Sequence, residues 1–252
     1  MNIRNVLISQ HKPADNERNP YSDLTKKFKI DFHFHKFIRI EGLSASEFRK
    51  FRIPLEEHNA IILTSRLAVD HFFRVAKHMR FEVPDEMKYF CLSESTALYL
   101  QKYTQFRKRK IFFSNNDFTE LVRLMKKHNG GKFLFACSSA HKPAYPLLLD
   151  QGEIQYSKAI LYRTVPANLS KLDISDYDMI VFFSPVGIES LFSNFPDFKQ
   201  GETHIACYGS ATAKAVKEHG LKLSLSAPTT NAPSMTMALE DYFLKISKQK
   251  KA

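Results

Sequence analysis

The chain is short of cysteine, of acidic residues and of long apolar runs, and each shortage removes a class of protein. Its three cysteines, Cys91, Cys137 and Cys207, are isolated and odd in number, which excludes a disulfide framework. Each sits at or near the end of an apolar run, where a reduced, buried thiol is common, so a reducing cytoplasm is the expected compartment. No stretch approaches a membrane span, and the apolar part of MNIRNVLISQ is too short for a signal peptide. A soluble protein with no membrane partner is expected. P-loop, GxGxxG and metal-hydrolase signatures are absent. His33 and His35 share a strand face but lack a Cys or carboxylate at ligand spacing, so no metal is expected.

Acidic residues number 26 against 37 Lys and Arg, a formal charge of +11. Such a balance favours capture of an anion. The basic runs KKFK (26–29), RKRK (107–110) and KQKK (248–251) are short, separate and read as solvated surface. Zinc-finger spacing and an RNA-recognition motif are both missing, so nucleic acid is not an expected partner.

What the sequence does have is a repeated unit: an apolar strand, a small hydroxyl-bearing turn and a helix. IILTSRLAVDHFF (61–73) matches IVFFSPVGIESLF (180–192), and YFCLSESTALYLQKY (89–103) matches IACYGSATAKAVKEHG (205–220). A Ser- or Thr-capped helix leaves unpaired backbone N–H groups at the sheet's carboxyl edge, suited to carboxylates or phosphates. Further strand–helix units read at 60–64 with 66–79, 88–92 with 94–104, and 110–113 with 116–128, the last helix ending at NGG (129–131). FLFACSS (133–139), a helix around 143–151 and the extended stretch 156–165 follow. Segment 29–40 reads as one long strand, Ser44 and Glu47 as a capping box, Thr229 and Thr230 as caps of the last helix, and 166–178 as a polar linker.

Ser184 stands 119 residues after Ser65, Thr212 stands 116 after Thr96, and Leu239 stands 118 after Leu121. Near-constant offsets argue for a duplicated α/β unit, hence two similar domains with mostly parallel sheets flanked by helices. The long strands 30–40 and 156–165 could each cross between domains, and a cleft lined by strand carboxyl ends is the default ligand site. Residue patterns alone leave two classes open: an enzyme for an anionic substrate, or a module that traps a sugar phosphate or nucleotide.

The motifs VLIS with NPYSDL, IILTSRLAVDHFF, AILYRTV, FFSPVGIESL, YGSATAKAVKEHGL and SAPTTNAPSMTMAL stand in one order across nearly the whole chain. In that order and spacing the chain resembles the uroporphyrinogen-III synthases, which cyclise hydroxymethylbilane with inversion of its last ring and loss of water. The resemblance implies two α/β domains, 1–36 plus 167–252 and 41–160, joined by linker strands at 36–41 and 160–166. It implies a small polycarboxylate substrate, no cofactor, and a chain that acts as a monomer.

Residue by residue, the resemblance makes Tyr162 the candidate catalytic group, a hydrogen-bond donor to the departing hydroxyl. It makes Thr212, with Gly209 and Ser210 in the same turn, a substrate-binding candidate. Ser184 on its strand-to-helix turn, and Ser65, Arg66, Ser93 and Ser138 on the mirror turns of the other domain, are substrate-binding candidates by position, Arg66 as a carboxylate contact particular to this chain. For the serines the plainer role is helix capping; for Arg66 it is a solvated first turn, and for Tyr162 packing of a linker aromatic. Relatives often carry proline where Arg66 and Ser210 stand, and a glycine-bearing turn where Ser138 and Ser139 stand. Those departures also admit a non-catalytic relative of the synthases.

Overall fold

The structure, a computed structural model, describes residues 3–13, 19–128 and 131–249. Along the chain come β1 (Asn5–Ile8), α1 (Ser22–Phe28), β2 (Asp31–Phe34), β3 (Ile38–Gly42), α2 (Ala45–Arg49), β4 (Ala60–Leu63) and α3 (Arg66–Met79). Next are β5 (Lys88–Cys91), α4 (Glu94–Tyr99), β6 (Ile111–Phe113), α5 (Phe118–His128), β7 (Phe133–Ser138), α6 (Ala144–Gln151) and β8 (Tyr156–Pro166). The last are β9 (Met179–Phe182), α7 (Pro185–Asn194), β10 (His204–Tyr208), α8 (Ser210–Glu218), β11 (Leu223–Ala227) and α9 (Met235–Gln249). Asn129 and Gly130, where the turn after α5 was expected, and the end of the KQKK run lie outside the described residues.

Two compact units result, one from Met1–Arg39 with Val165–Ala252 and the other from Ile40–Thr164. The first holds a five-stranded parallel sheet in the order β11-β10-β9-β1-β2. The second sheet runs β3-β8-β7-β4-β5-β6, parallel from β8 to β6. Leu43 N–H donates to the Leu161 carbonyl and Ala167 N–H to the Phe37 carbonyl, so β3 and β8 run antiparallel. Arg163 ties these two strands to α2, reaching Glu41 at 2.6 Å and Glu47 at 3.0 Å.

The central strands are buried on both faces, which is why they read as unbroken apolar runs such as AIIL and MIVF. Alternate residues go to opposite layers. Ile61 and Leu63 pack with α3 and α4, while Ala60 and Ile62 pack with α5 and α6. In the first unit Val6, Ile8, Met179 and Val181 meet α1 and α9, and Leu7, Ile180 and Phe182 meet α7 and α8. Each sheet therefore has one place where the flanking helices change sides. That switch lies between β9 and β1 in the first unit and between β4 and β7 in the second.

The duplication is real but permuted. In the second unit the strand–helix–strand piece β7-α6-β8 follows the three strand–helix repeats; in the first, β1-α1-β2 precedes them. The offset pairs occupy equivalent places: Ser65 and Ser184 are both N-caps, Thr96 and Thr212 are both buried, and so are Leu121 and Leu239.

Three local expectations need correction. The expected long strand 29–40 is two strands, broken at residues 35–37, because β2 pairs with β1 while β3 pairs with β8. Phe37, in the break, is fully buried and meets Phe182 edge-on at 5.8 Å. The stretch 166–178 is no simple polar linker, since Leu169, Leu172 and Tyr177 are buried in the first unit's core. Ser234, not Thr229 or Thr230, caps α9 by accepting from Met237 N–H at 3.2 Å. The Ser44–Glu47 capping box forms as read, and all three cysteines are free and buried, with burial pushing Cys91 and Cys137 up to about 12.

His58, His71 and His204 all have pKa values lowered chiefly by burial, and Nε2 of both His58 and His204 is buried without a hydrogen-bond partner. A group whose folded pKa lies below its unfolded value adds stability above the unfolded value and loses it as pH falls through the folded one. The unfolding midpoint should therefore drop between about pH 7 and about pH 5, and His58→Gln with His204→Gln should flatten that slope. A midpoint independent of pH across this range would contradict the burial argument.

Candidate active site

All the parallel strands of a sheet deliver their chains to helices at one edge, and the crevice at the switch is where such sheets bind ligands. In the second unit that edge carries Ser65 at the end of β4 and Ser138 at the end of β7. Ser65 Oγ accepts from Ala68 N–H at 3.1 Å, capping α3. Tyr162 on β8 lies in register with Ser138, and its hydroxyl is 3.4 Å from Ser65 Oγ. Three candidates distant in sequence thus meet at one switch point.

Tyr162 is 7% exposed. Its ring stacks on His71 of α3, with centroids 4.6 Å apart and planes 16° apart. Arg74 Nε donates to His71 Nδ1 at 3.1 Å, which leaves the ring proton on Nε2 and the imidazole neutral. The same guanidinium donates to the carbonyls of Leu43 and Leu161, pinning β3 and β8 to α3. Gly42 permits this approach, for a Cβ there would fall 2.6 Å from the guanidinium. Burial pushes the Tyr162 phenol up, against the opposing pull of hydrogen bonds with Ser65 and Ser138. A phenol so placed stays protonated near neutrality and serves as a hydrogen-bond donor.

The other second-unit candidates are less available. Ser93 caps α4 through Thr96 N–H at 3.3 Å, and its hydroxyl also contacts Ser95 and Thr96. Arg66 is exposed on the first turn of α3, and its guanidinium lies 5.6 Å above the Tyr99 ring.

In the first unit the switch lies between β9 and β1. Ser184 ends β9 and caps α7, accepting from Gly187 N–H at 3.2 Å. Ser9 ends β1, and its hydroxyl, like that of Ser184, lies within 4 Å of the place a Gly187 Cβ would take. A cavity of 430 Å³ opens here, lined by Ser9, Gln10, His11, Lys36, Phe183 and Ser184 among others. Gln10 and Phe183 also border a neighbouring hollow of 470 Å³ that runs to Tyr208 and Ser234. Gly209 is the N-cap of α8 at φ 91°, a region that favours glycine. Ser210 is exposed beside it, whereas Thr212 is 2% exposed and closed off from solvent. Among the described residues no His, Cys, Asp and Glu group could hold a metal ion.

Residues 25–237 match the protein family described as uroporphyrinogen-III synthase HemD. The chain belongs to the uroporphyrinogen-III synthase family. Its activity is accordingly that of a lyase of porphyrin and haem biosynthesis. A solved uroporphyrinogen-III synthetase from Helicobacter pylori is similar over 98% of this chain and 100% of its own, at 16% identity and a TM-score of 0.55. A mutant uroporphyrinogen III synthase from Thermus thermophilus is 15% identical, covering 96% of this chain and 99% of its own, with a TM-score of 0.49. At such identity the Helicobacter likeness establishes the two-domain fold alone. No curated protein sequence matches the chain closely enough to count as a relative.

For a uroporphyrinogen-III synthase, the sequence reading overlooked Ser9, Gln10, His11 and Lys36 in one unit and His71 and Arg74 in the other. The first four sit just past strand ends in irregular chain, where no periodic signal marks them. His71 and Arg74 stand three apart on one face of α3, which a reader could have noticed, but their partner is 91 residues away from His71.

Ser184→Ala should cost about 1 kcal/mol of stability, because Gly187 N–H loses its acceptor, whereas Ser184→Asp keeps the cap and should cost less than ~0.5 kcal/mol. Urea unfolding of the two variants checks this. Equal losses would mean that the hydroxyl does not cap α7.

Proposed function

We propose that this chain binds hydroxymethylbilane at helix starts along the carboxyl edges of its parallel strands. The first-turn N–H groups of α3, α7 and α8 receive substrate carboxylates, as helix N-termini favour anions. Lys36 and His11, beside Ser9 and Ser184, supply cationic or hydrogen-bonding surface next to those N–H groups. The formal charge of +11 draws a polycarboxylate to the molecule.

Reaction begins when the terminal C–O bond breaks, pushed by the adjacent pyrrole nitrogen, and hydroxide leaves as water with a proton from the medium. Tyr162 donates a hydrogen bond to that oxygen as it departs. The observation carrying this assignment is the approach of its hydroxyl to the capped Ser65 turn, 3.4 Å away at the switch of the second sheet. His71 and Arg74 hold the ring in that pose.

The azafulvene so formed is attacked by the substituted carbon of the last ring. The spiro intermediate then fragments and recloses, inverting that ring. Because the bilane closes unaided to the uninverted isomer, orientation is the protein's main contribution. A single phenolic donor among capped turns suits that task, and no strong base is required.

The chain acts as a cytoplasmic monomer in this reading, without nucleic acid or membrane. Among the described residues no helix is long and apolar enough to cross a membrane.

Incubation with freshly made hydroxymethylbilane, followed by separation of product isomers, should yield the inverted isomer in excess. Isomer I alone would defeat the proposal. Tyr162→Phe should lower kcat by about tenfold or more while KM changes little, since one transition-state hydrogen bond is lost. Ser184→Asp should raise KM with kcat nearly intact, because it keeps the cap and adds a negative charge where a carboxylate binds. Unchanged kinetics in both variants would remove these residues from the site.

A further inference from the structure

One feature that the synthase reading leaves unused is at the opposite, amino-terminal edge of the second sheet. A cavity of 380 Å³ lies there, at the starts of β5 and β6, beneath the loop that follows α3. Its volume falls within the range of about 300–1,000 Å³ typical of small-molecule sites. Phe73, Tyr89 and Tyr103 form an aromatic wall, with Phe73 and Tyr103 stacked at 4.4 Å and 5°. Arg107 and Lys110 supply positive charge at the same cavity.

These two cations come from the RKRK run, which reads in sequence as solvated surface. The structure differs: Lys110 is 7% exposed and Arg107 is half-buried, because the run turns inward at the start of β6. Lys110 Nζ donates to the Asp85 carbonyl and pairs with Glu86 at 3.1 Å, so it is held in place and partly compensated. Among the described residues Arg107 pairs with no carboxylate at salt-bridge distance; its guanidinium meets the Gln105 side-chain oxygen at 3.4 Å. The Lys110 hydrogen bond and charge, with smaller effects from Arg109 and Arg107, hold the Glu86 carboxyl below its ordinary range. Counting Asp85 and Glu86 against Arg107, Arg109 and Lys110, positive charge is in excess.

We propose that this cavity is a second ligand site, taking a planar ring that bears one anionic group, of mononucleotide size. The ring lies against the aromatic wall, where stacking is sequence-independent and apolar. The phosphate or carboxylate meets Arg107, whose planar fork suits such oxygens. Nothing in this assignment depends on the cyclisation reaction or on the residues of the carboxyl edge.

Calorimetric titration of the full chain with adenosine 5′-monophosphate, benzoate and inorganic phosphate tests it. At least one ring-bearing anion should bind with saturation at one site per chain, more weakly as salt rises. Inorganic phosphate should bind at least about tenfold more weakly, for want of the ring contact. Arg107→Gln should weaken the ring-bearing ligand by about tenfold or more, and Arg109→Gln by less than about threefold. Cyclisation should proceed at the unaltered rate in both variants. Absence of saturable binding by both ring-bearing probes would overturn the proposal. So would phosphate binding as tightly as they do, or equal losses in Arg107→Gln and Arg109→Gln, which would mean diffuse charge rather than a site.

Discussion

A parallel strand buried on both faces must hand its chain to a helix at the same edge as every other strand of its sheet. The rest of this molecule follows from that constraint. Each helix begins where a strand ends, so the unpaired N–H groups of several helix starts gather along one edge. Those groups need acceptors, and serine at the junction provides one at little steric cost. Ser65, Ser93 and Ser184 do so here. Helix-start N–H groups that no serine satisfies stay open at the same edge, so in the proposed binding mode fold stability and carboxylate binding rest on the same few turns.

Much of this was legible because it is local. The Ser65 and Ser184 turns lie between an apolar run and a helical period, and both are N-caps in the structure. The near-constant offsets marked a duplication, and both sheets carry the same strand arrangement with one piece moved from the end to the beginning. What stayed hidden depends on contacts between distant segments. Nothing in the run KIDFHFHKFIRI states that its two halves join different sheets, for each half has good strand character. The break shows only once β2 pairs with β1 and β3 with β8, with Phe37 buried between them against Phe182.

The candidate site divides along the same line. Tyr162 was legible from its motif, yet its brace was not, since His71 and Arg74 reach it only after α3 packs beside β8. Arg66 could be read from its turn as a carboxylate contact or as a solvated residue, but its place over the Tyr99 ring depends on where α4 packs. Thr212 followed the motif but is buried. Ser9 ends the VLIS motif and Lys36 falls within the run 29–40, but neither pattern marks a site; with His11 they join Ser184 only because β1 lies beside β9. Short-range signals locate the turns, while strand order decides which turns share a crevice.

In the binding mode proposed above, helix-start amides at the carboxyl edges of the parallel strands hold the carboxylates of the substrate. Amide NMR of the isotope-labelled chain, titrated with a stable polycarboxylated porphyrin, tests it most directly. The largest shifts should fall at the N–H groups of residues 65–68, of Ser184, Val186 and Gly187, and of residues 209–212. Shifts confined to other parts of the chain, with those amides unmoved, would contradict it.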